Sequence, residues 1–427
     1  MKMQKLLTSL TFVLFFTLQA SASYILIPMD AENQTDHLKA YGIAYWVLEN
    51  EVETYWLLNY MGGSFAMKYA DPIEEECKVR GVKYQVIADA QFLKIRKEIS
   101  NPEVNKEVVK LEKAPKIAVY TPDFNSKGKK LQPWDDAVTL VLTYAEIPYD
   151  VIYDREVLED KLALYDWLHL HHEDFTGQYG KFYGGHNASK WYKINQQKME
   201  ELATGLGFEK VSMLKLAVAK KIKEYVSGGG FMFAMCSATD TYDIALAAEG
   251  HDICHEVFDH DGMDKDLDGK LDFSKTFAFK EFDLVKNPME YEFSSIDHRK
   301  RKVNPEQDYF TLFDFSAKWD PIPTMLTQNH TRTIKGFMGQ TTAYHKSHVK
   351  PEVLILGQNK AIDETRYIHG EFGFGQWTFF GGHDPEDYRH YVGDPETDLS
   401  LHPTSPGYRL ILNNVLFPAA KKKKRKT

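Results

Sequence analysis

From residue 115 onward the chain alternates short apolar runs with stretches of helical period, and this restricts the fold more than any other feature. Pro115 leads into Lys116-Ile117-Ala118-Val119-Tyr120. Trp134 to Glu146 then shows helical spacing, with Ala137, Leu140, Val141 and Tyr144 on one face. Further strand-like runs are 149–153, 165–170 and 231–235. A helix is expected over Met213 to Ser227, ended by Gly228-Gly229-Gly230, and another begins near Thr241. Glu352 to Gly357 reads as a fifth strand, 367–380 as a glycine-cornered hairpin, and Ser405 to Phe417 as a closing helix. Such alternation builds βαβ units around a mostly parallel sheet. The expected fold class is therefore α/β, in a flavodoxin-like three-layer α/β/α sandwich.

The remaining segments attach to this core. Residues 1–22 carry Lys2 and Lys5, an apolar run from Leu10 to Leu18, and Ala20-Ser21-Ala22, the pattern of a cleaved export signal. The run is short for a membrane span, so no transmembrane segment is expected in the mature chain. The protein is expected to be periplasmic or extracellular. Residues 23–112 read as an N-terminal α/β subdomain, and 113–420 as the main domain with a polar, irregular insertion over 255–350. Residues 421–427 form a basic, solvated tail. The net charge is −9, which argues against nucleic acid as the main partner. Three cysteines, Cys77, Cys236 and Cys254, are too few for a disulfide scaffold and leave at least one thiol over.

Ligands of open α/β sheets bind at the carboxyl ends of the strands. There the chain offers His171-His172-Glu173-Asp174, Cys236-Ser237 and Gly381-Gly382-His383-Asp384. Cys236 lies between a buried strand and a helix. Helix N–H groups would lower its pKa and could stabilise an oxyanion. His383 would serve as base, oriented by Asp384 or Glu386. His171, His172, Glu173, Asp174, Ser237 and Asp240 would line the substrate pocket.

Strand–Cys–helix followed by a terminal strand–His resembles the class I glutamine amidotransferase-like superfamily, including its trehalose-utilisation (ThuA-like) relatives. The stretch from Gly373 to His383 is similar to the last hairpin of that group. This resemblance implies the sandwich fold and a cysteine-dependent hydrolase or amidotransferase acting on a small amide or a sugar-derived substrate. Ala234 and Ala238 stand where the family's elbow has glycines, and Pro385 where amidotransferases have the triad glutamate. The whole chain also resembles exported bacterial proteins labelled asparagine synthetase B, through segments such as WLLNYMGGSF and YDWLHLHHEDFTGQYGKFY. The motifs do not support that activity. The synthetase needs an N-terminal Cys and an aspartate-bearing pyrophosphate loop, and Ser227-Gly228-Gly229-Gly230-Phe231 lacks the aspartate.

Two other readings stay open. Histidines and carboxylates at one strand end could bind Zn²⁺ or another divalent metal, making a metal-dependent hydrolase centred on His171, His172 and Glu173. In a β-strand, His169, His171 and Glu173 would share one face, with His172 and Asp174 on the other. Alternatively the fold serves as a non-catalytic, envelope-associated module for a small-molecule, glycan or peptide ligand. Within the insertion, Asp264, Asp266, Asp268, Lys270 and Asp272 match the first nine positions of an EF-hand-type Ca²⁺ loop, with Gly269 at the turn. Asp259 and Asp261 could complete the shell. Lys275 occupies the position of the usual bidentate glutamate. No nucleotide or organic cofactor is indicated.

Overall fold

A computed structural model of the chain describes residues 22–122, 136–267, 269–297, 308–337, 339–387 and 394–420. The expected export signal, apart from Ala22, and the basic tail lie outside these residues, as does Asp268 of the expected Ca²⁺ loop.

The first five strands are β1 (Ala22–Ile27), β2 (Thr54–Leu58), β3 (Ser64–Lys68), β4 (Gln85–Ala88) and β5 (Glu107–Leu111), in an antiparallel sheet of order β4-β1-β3-β2-β5. In β1, Ile25 and Ile27 enter one apolar cluster, while Tyr24 and Leu26 enter another. Period-2 alternation thus buries both faces. Helix α1 (His37–Glu49) covers one face; α2 (Asp71–Val79) and α3 (Asp89–Ser100) complete the segment. Asp36 caps α1 by accepting from Lys39 N–H at 2.8 Å.

The main sheet starts with β6 (Ile117–Tyr120), α4 (Ala137–Tyr144), β7 (Asp150–Ile152), α5 (Asp154–Leu158) and β8 (Trp167–Leu170). There follow α6 (Tyr183–His186), α7 (Lys190–Gly205), α8 (Val211–Ser227), β9 (Phe231–Met235) and α9 (Ser237–Ala247). Next come α10 (Glu256–Asp259), β10 (Tyr309–Leu312), α11 (Pro321–Leu326), β11 (Thr333–Lys335) and β12 (Tyr344–His345). The chain closes with β13 (Leu354–Asn359), β14 (Glu364–Phe372), β15 (Gly375–Phe380) and α12 (Pro406–Leu416). The sheet order is β11-β10-β13-β14-β15-β9-β8-β6-β7, with β12 on β14. From β15 to β7 the pairing is parallel; from β15 to β11 it is antiparallel.

The chain is thus mixed α/β, as the alternation of elements implies. Its parallel strands are continuous apolar runs because both faces are covered. Ile117, Val119, Trp167 and Phe233 pack with residues of α1, α4 and α12. Ala118, Leu168, Leu170 and Ala234 pack with residues of α8 and α9. The hairpin turn between β14 and β15 is Gly373-Phe374, and Gly373 takes φ 61°.

Two segments differ from expectation. The stretch 255–350, expected as irregular, contributes β10, β11 and β12, so the sheet extends beyond its parallel part. Helix α7 carried little signal, because only Tyr192, Met199 and Ala203 are buried along its 16 residues.

Candidate functional site

Register places three strand ends side by side. Leu170 pairs with Ala234, and Phe380 with Met235. The residues that follow, His171-His172, Cys236 and Gly381-Gly382-His383, therefore leave one edge of the sheet together, with Cys236 on the central strand of the three.

Cys236 links β9 to α9 at φ 51° and ψ −142°. Side chains rarely adopt this conformation, which costs about 1–3 kcal/mol and persists only where the surroundings impose it. Here a buried strand and an entirely buried first turn impose it. The backbone turns sharply from strand to helix at Cys236, and the surroundings of its thiol raise its pKa where a helix N-terminus alone would lower it. Burial pushes the thiol up to about 12, and the nearby Asp240 and Asp297 add to this against the N–H of Ser237. Desolvation outweighs the helix terminus. The Sγ–H instead donates to Gln340 O at 3.4 Å. All three cysteines are free thiols in buried positions.

The imidazoles lie beside it. Strand β8 ends at Leu170, and His172 takes φ 45°, so strict alternation stops there. The rings of His171 and His172 consequently stack, with centroids 3.7 Å apart and planes at 17°. His383 joins them, 4.8 Å from His171 and 4.1 Å from His172. One ring nitrogen from each of the three lies within 4.8 Å of the others. Phe337 stacks on His383 at 5.0 Å.

Asp136 anchors this group from α4. Its Oδ1 caps the helix by accepting from Val138 N–H at 2.8 Å and Thr139 N–H at 3.0 Å. Its Oδ2 lies 3.2 Å from His169 Nε2 and 3.1 Å from His171 Nδ1. Burial opposes the charge, yet the two histidines hold the carboxyl well below its ordinary range. His169, within the strand, also contacts Phe233 O at 3.3 Å through Nδ1, which fits a structural residue.

Glu173 turns away from the face expected for it. Its Oε2 lies 3.5 Å from Lys215 Nζ and accepts from the Tyr153 hydroxyl at 3.3 Å. Lys215 donates to Tyr120 and Tyr153 hydroxyls at 2.9 Å each and to Asp154 Oδ1 at 3.1 Å. Burial pushes Glu173 up to about 7 against the pull of Lys215. A small cleft opens here, lined by Tyr153, His172, Glu173, Tyr179, Phe182 and Lys215 among others.

The other expected site residues divide. Asp174 closes a loop, accepting from Thr176 N–H at 2.7 Å and Gly180 N–H at 2.9 Å, while also lining the cleft. Ser237 is buried, and its carbonyl accepts from Thr241 Oγ1 at 2.6 Å. Burial, with Asp297 next to it, pushes Asp240 well above the carboxylate range. Asp384 accepts from Glu386 N–H at 2.8 Å. Glu386 faces Lys335 at 3.2 Å and His402 at 3.3 Å, an ion-pair group of its own.

In the expected Ca²⁺ loop, Gly269 has the left-handed φ of 78° that the turn needs, and Asp266 lies at φ 58°. Asp264 contacts His251 Nδ1 at 3.1 Å, and Asp272 accepts from Ser274 N–H at 3.0 Å. Lys270 donates from its backbone to Leu267 O at 3.1 Å. Asp259 and Asp261, expected to complete the shell, gather with Asp252 on Lys210.

Asp136, Lys215, Asp297 and Gln340 escaped the sequence reading. Asp136 had a signal, an acidic residue directly before a helical period. The other three come from a helix face and the insertion, where nothing local marks them.

No family model matches the chain, and neither does any curated protein. Among solved structures, two cytoplasmic proteins of Salmonella typhimurium are similar at 11% and 12% identity, covering 72% of this chain and 100% of theirs, with TM-scores of 0.35. A beta-galactosidase from Bacillus circulans sp. alkalophilus is similar at 12% identity over 70% of this chain and 32% of its own, with a TM-score of 0.26.

Proposed function

We propose that the chain is an exported hydrolase on a flavodoxin-like, class I glutamine amidotransferase-like fold, with its reaction centre at the strand-end edge of the main sheet. The parallel strands, numbered by their order in the chain, run 2-1-3-4-5 across the sheet, which supports the fold reading. The observation that carries the function is the convergence of His171, His172 and His383, backed by Asp136, beside the cleft. Buried imidazoles next to a polar cleft suit the activation of water. In the reaction, the water oxygen bonds to the electrophilic carbon of a small amide or sugar-derived substrate. The bond to the leaving group breaks, and the leaving atom takes a proton.

Burial pushes the Cys236 thiol up to about 12, which disfavours the thiolate and supports water, activated by the imidazoles, as the nucleophile. The experiment is a panel of chromogenic anilides, esters and glycosides offered to the full chain. Turnover of at least one class, falling 100-fold or more in His171→Ala, is expected. Turnover by neither protein overturns the hydrolase reading.

A second reading, the cysteine hydrolase, rests on the elbow conformation of Cys236. It predicts that Cys236→Ala abolishes turnover, whereas water attack survives that change.

A further inference from the structure

His171 and His383 are 3% and 4% exposed, and His172 is half-buried beside the cleft. Three imidazoles packed ring against ring do not explain one another as core residues. A buried ring nitrogen costs free energy unless something accepts from it or donates to it. His171 Nε2 has no hydrogen-bond partner among the described residues. The backbone of His172 is held at φ 45°, which brings its ring onto that of His171. Unusual backbone at a cluster of this kind marks a site where position serves a purpose.

Asp136 supplies the second, independent observation. Its Oδ2 faces His171 Nδ1 at 3.1 Å, which leaves Nε2 as the nitrogen free to donate a lone pair. A carboxylate behind an imidazole is the usual way to fix the ring and raise its basicity toward a cation. Ligand nitrogens about 2.1 Å from a tetrahedral ion sit roughly 3.4 Å apart, so nitrogens now within 4.8 Å must close and the stacked His171 and His172 rings, 17° apart, must turn to aim both lone pairs at one ion.

We propose that His171, His172 and His383 together hold a divalent cation of the zinc class, with Asp136 positioning His171. Imidazole ligands favour Zn²⁺ and its borderline neighbours over Mg²⁺ and Ca²⁺. Three protein ligands leave a position open, and the cleft beside His172 gives access to it. This ligand set replaces Glu173 with His383, because Glu173 is engaged by Lys215. The chemistry assigned to the ion, lowering the pKa of water, rests on the hydrolase reading. The site itself does not. Two other groups among the described residues come as close: Asp136, His169 and His171 overlap this site, with His169 also engaged to Phe233 O at 3.3 Å, while in Asp252, Cys254 and Asp259 Lys210 neutralises the carboxylates and Cys254 donates to Thr176 O at 3.2 Å.

The test is calorimetric titration of ZnCl₂ into the full chain after chelator treatment and dialysis, without substrate. One site is expected, undiminished by millimolar Mg²⁺ or Ca²⁺. His172→Ala and His383→Ala should each weaken it at least 100-fold, and Asp136→Asn about 10- to 100-fold. Circular dichroism of each zinc-free variant checks folding. Should the buried His383→Ala fail to fold, the half-buried His172→Ala carries the test. No zinc binding, or binding that both histidine variants retain, overturns the proposal. Zinc binding without turnover of any substrate class removes the hydrolase reading and keeps the site. Turnover by the zinc-free chain keeps the hydrolase reading and removes only the chemistry assigned to the ion.

Discussion

Glu173 follows two imidazoles in the chain, yet its carboxylate faces Lys215 and the Tyr153 hydroxyl. Desolvation dominates its ionisation and brings it to about 7, above its ordinary 4.5. The sign of the stability effect follows from linkage. The unfolded chain releases this proton near 4.5, whereas the folded chain keeps it until about 7. The contribution is therefore full below 4.5 and is lost as pH rises through 7. Glu173→Gln removes this titration at nearly constant shape. Compared with the wild type, the variant should gain roughly 2–3 kcal/mol between pH 5 and pH 8, read by urea denaturation at both. An unchanged difference between the two proteins would show that Glu173 ionises normally. The same desolvation pushes the Cys236 thiol up, against the helix terminus that the sequence suggested.

At the scale of elements, the strand-to-helix junction at Cys236 is where local and tertiary demands meet. Strand β9 is fixed by parallel neighbours on both sides, and all of α9 is buried. Neither can shift to relax the residue between them, so φ stays at 51°. Glycine adopts this backbone freely and alanine does not. Cys236→Gly should therefore be more stable than Cys236→Ala by about 1–2 kcal/mol, the reverse of the order in ordinary strands. Thermal unfolding of the two variants measures it, and equal stability would mean the junction relaxes in solution. His172 belongs to the same class of junction: the strand stops and a turn re-aims the ring. The periodicity that located β8 could not foresee this, since alternation holds only while the strand continues.

Across the whole molecule, the N-terminal sheet is tied to the rest through one shared core. Residues of β1, β2, α1 and β5 enter the same apolar cluster as β6, α4 and α12. Gly42 of α1 lies so close to α4 that an added methyl would come within 1.9 Å of Ala145 O. The buried Arg409 of α12 donates to Met29 O at 2.8 Å and also to Gly62 O. Removing α4 and α12 would expose the inner face of α1 and orphan both carbonyls. A fragment of residues 22–112 is thus expected to lack a cooperative melt, while the full chain unfolds in one transition; circular dichroism of both decides it. A cooperative fragment would show two independent units. The sequence by itself determined the α/β class, the parallel strands of the main sheet, its closing hairpin and the junction position of Cys236, but not β10 to β12 or α7. These follow from periodicity and turn chemistry within about ten residues. Only the tertiary structure decided that His383 meets His171 and His172, that Asp136 stands behind them, and that Glu173 belongs to Lys215. Those meetings depend on strand order and on where each chain turns after its strand ends. Burial, which sets the ionisation of Glu173 and Cys236, is likewise a property of the packed whole and of no local segment.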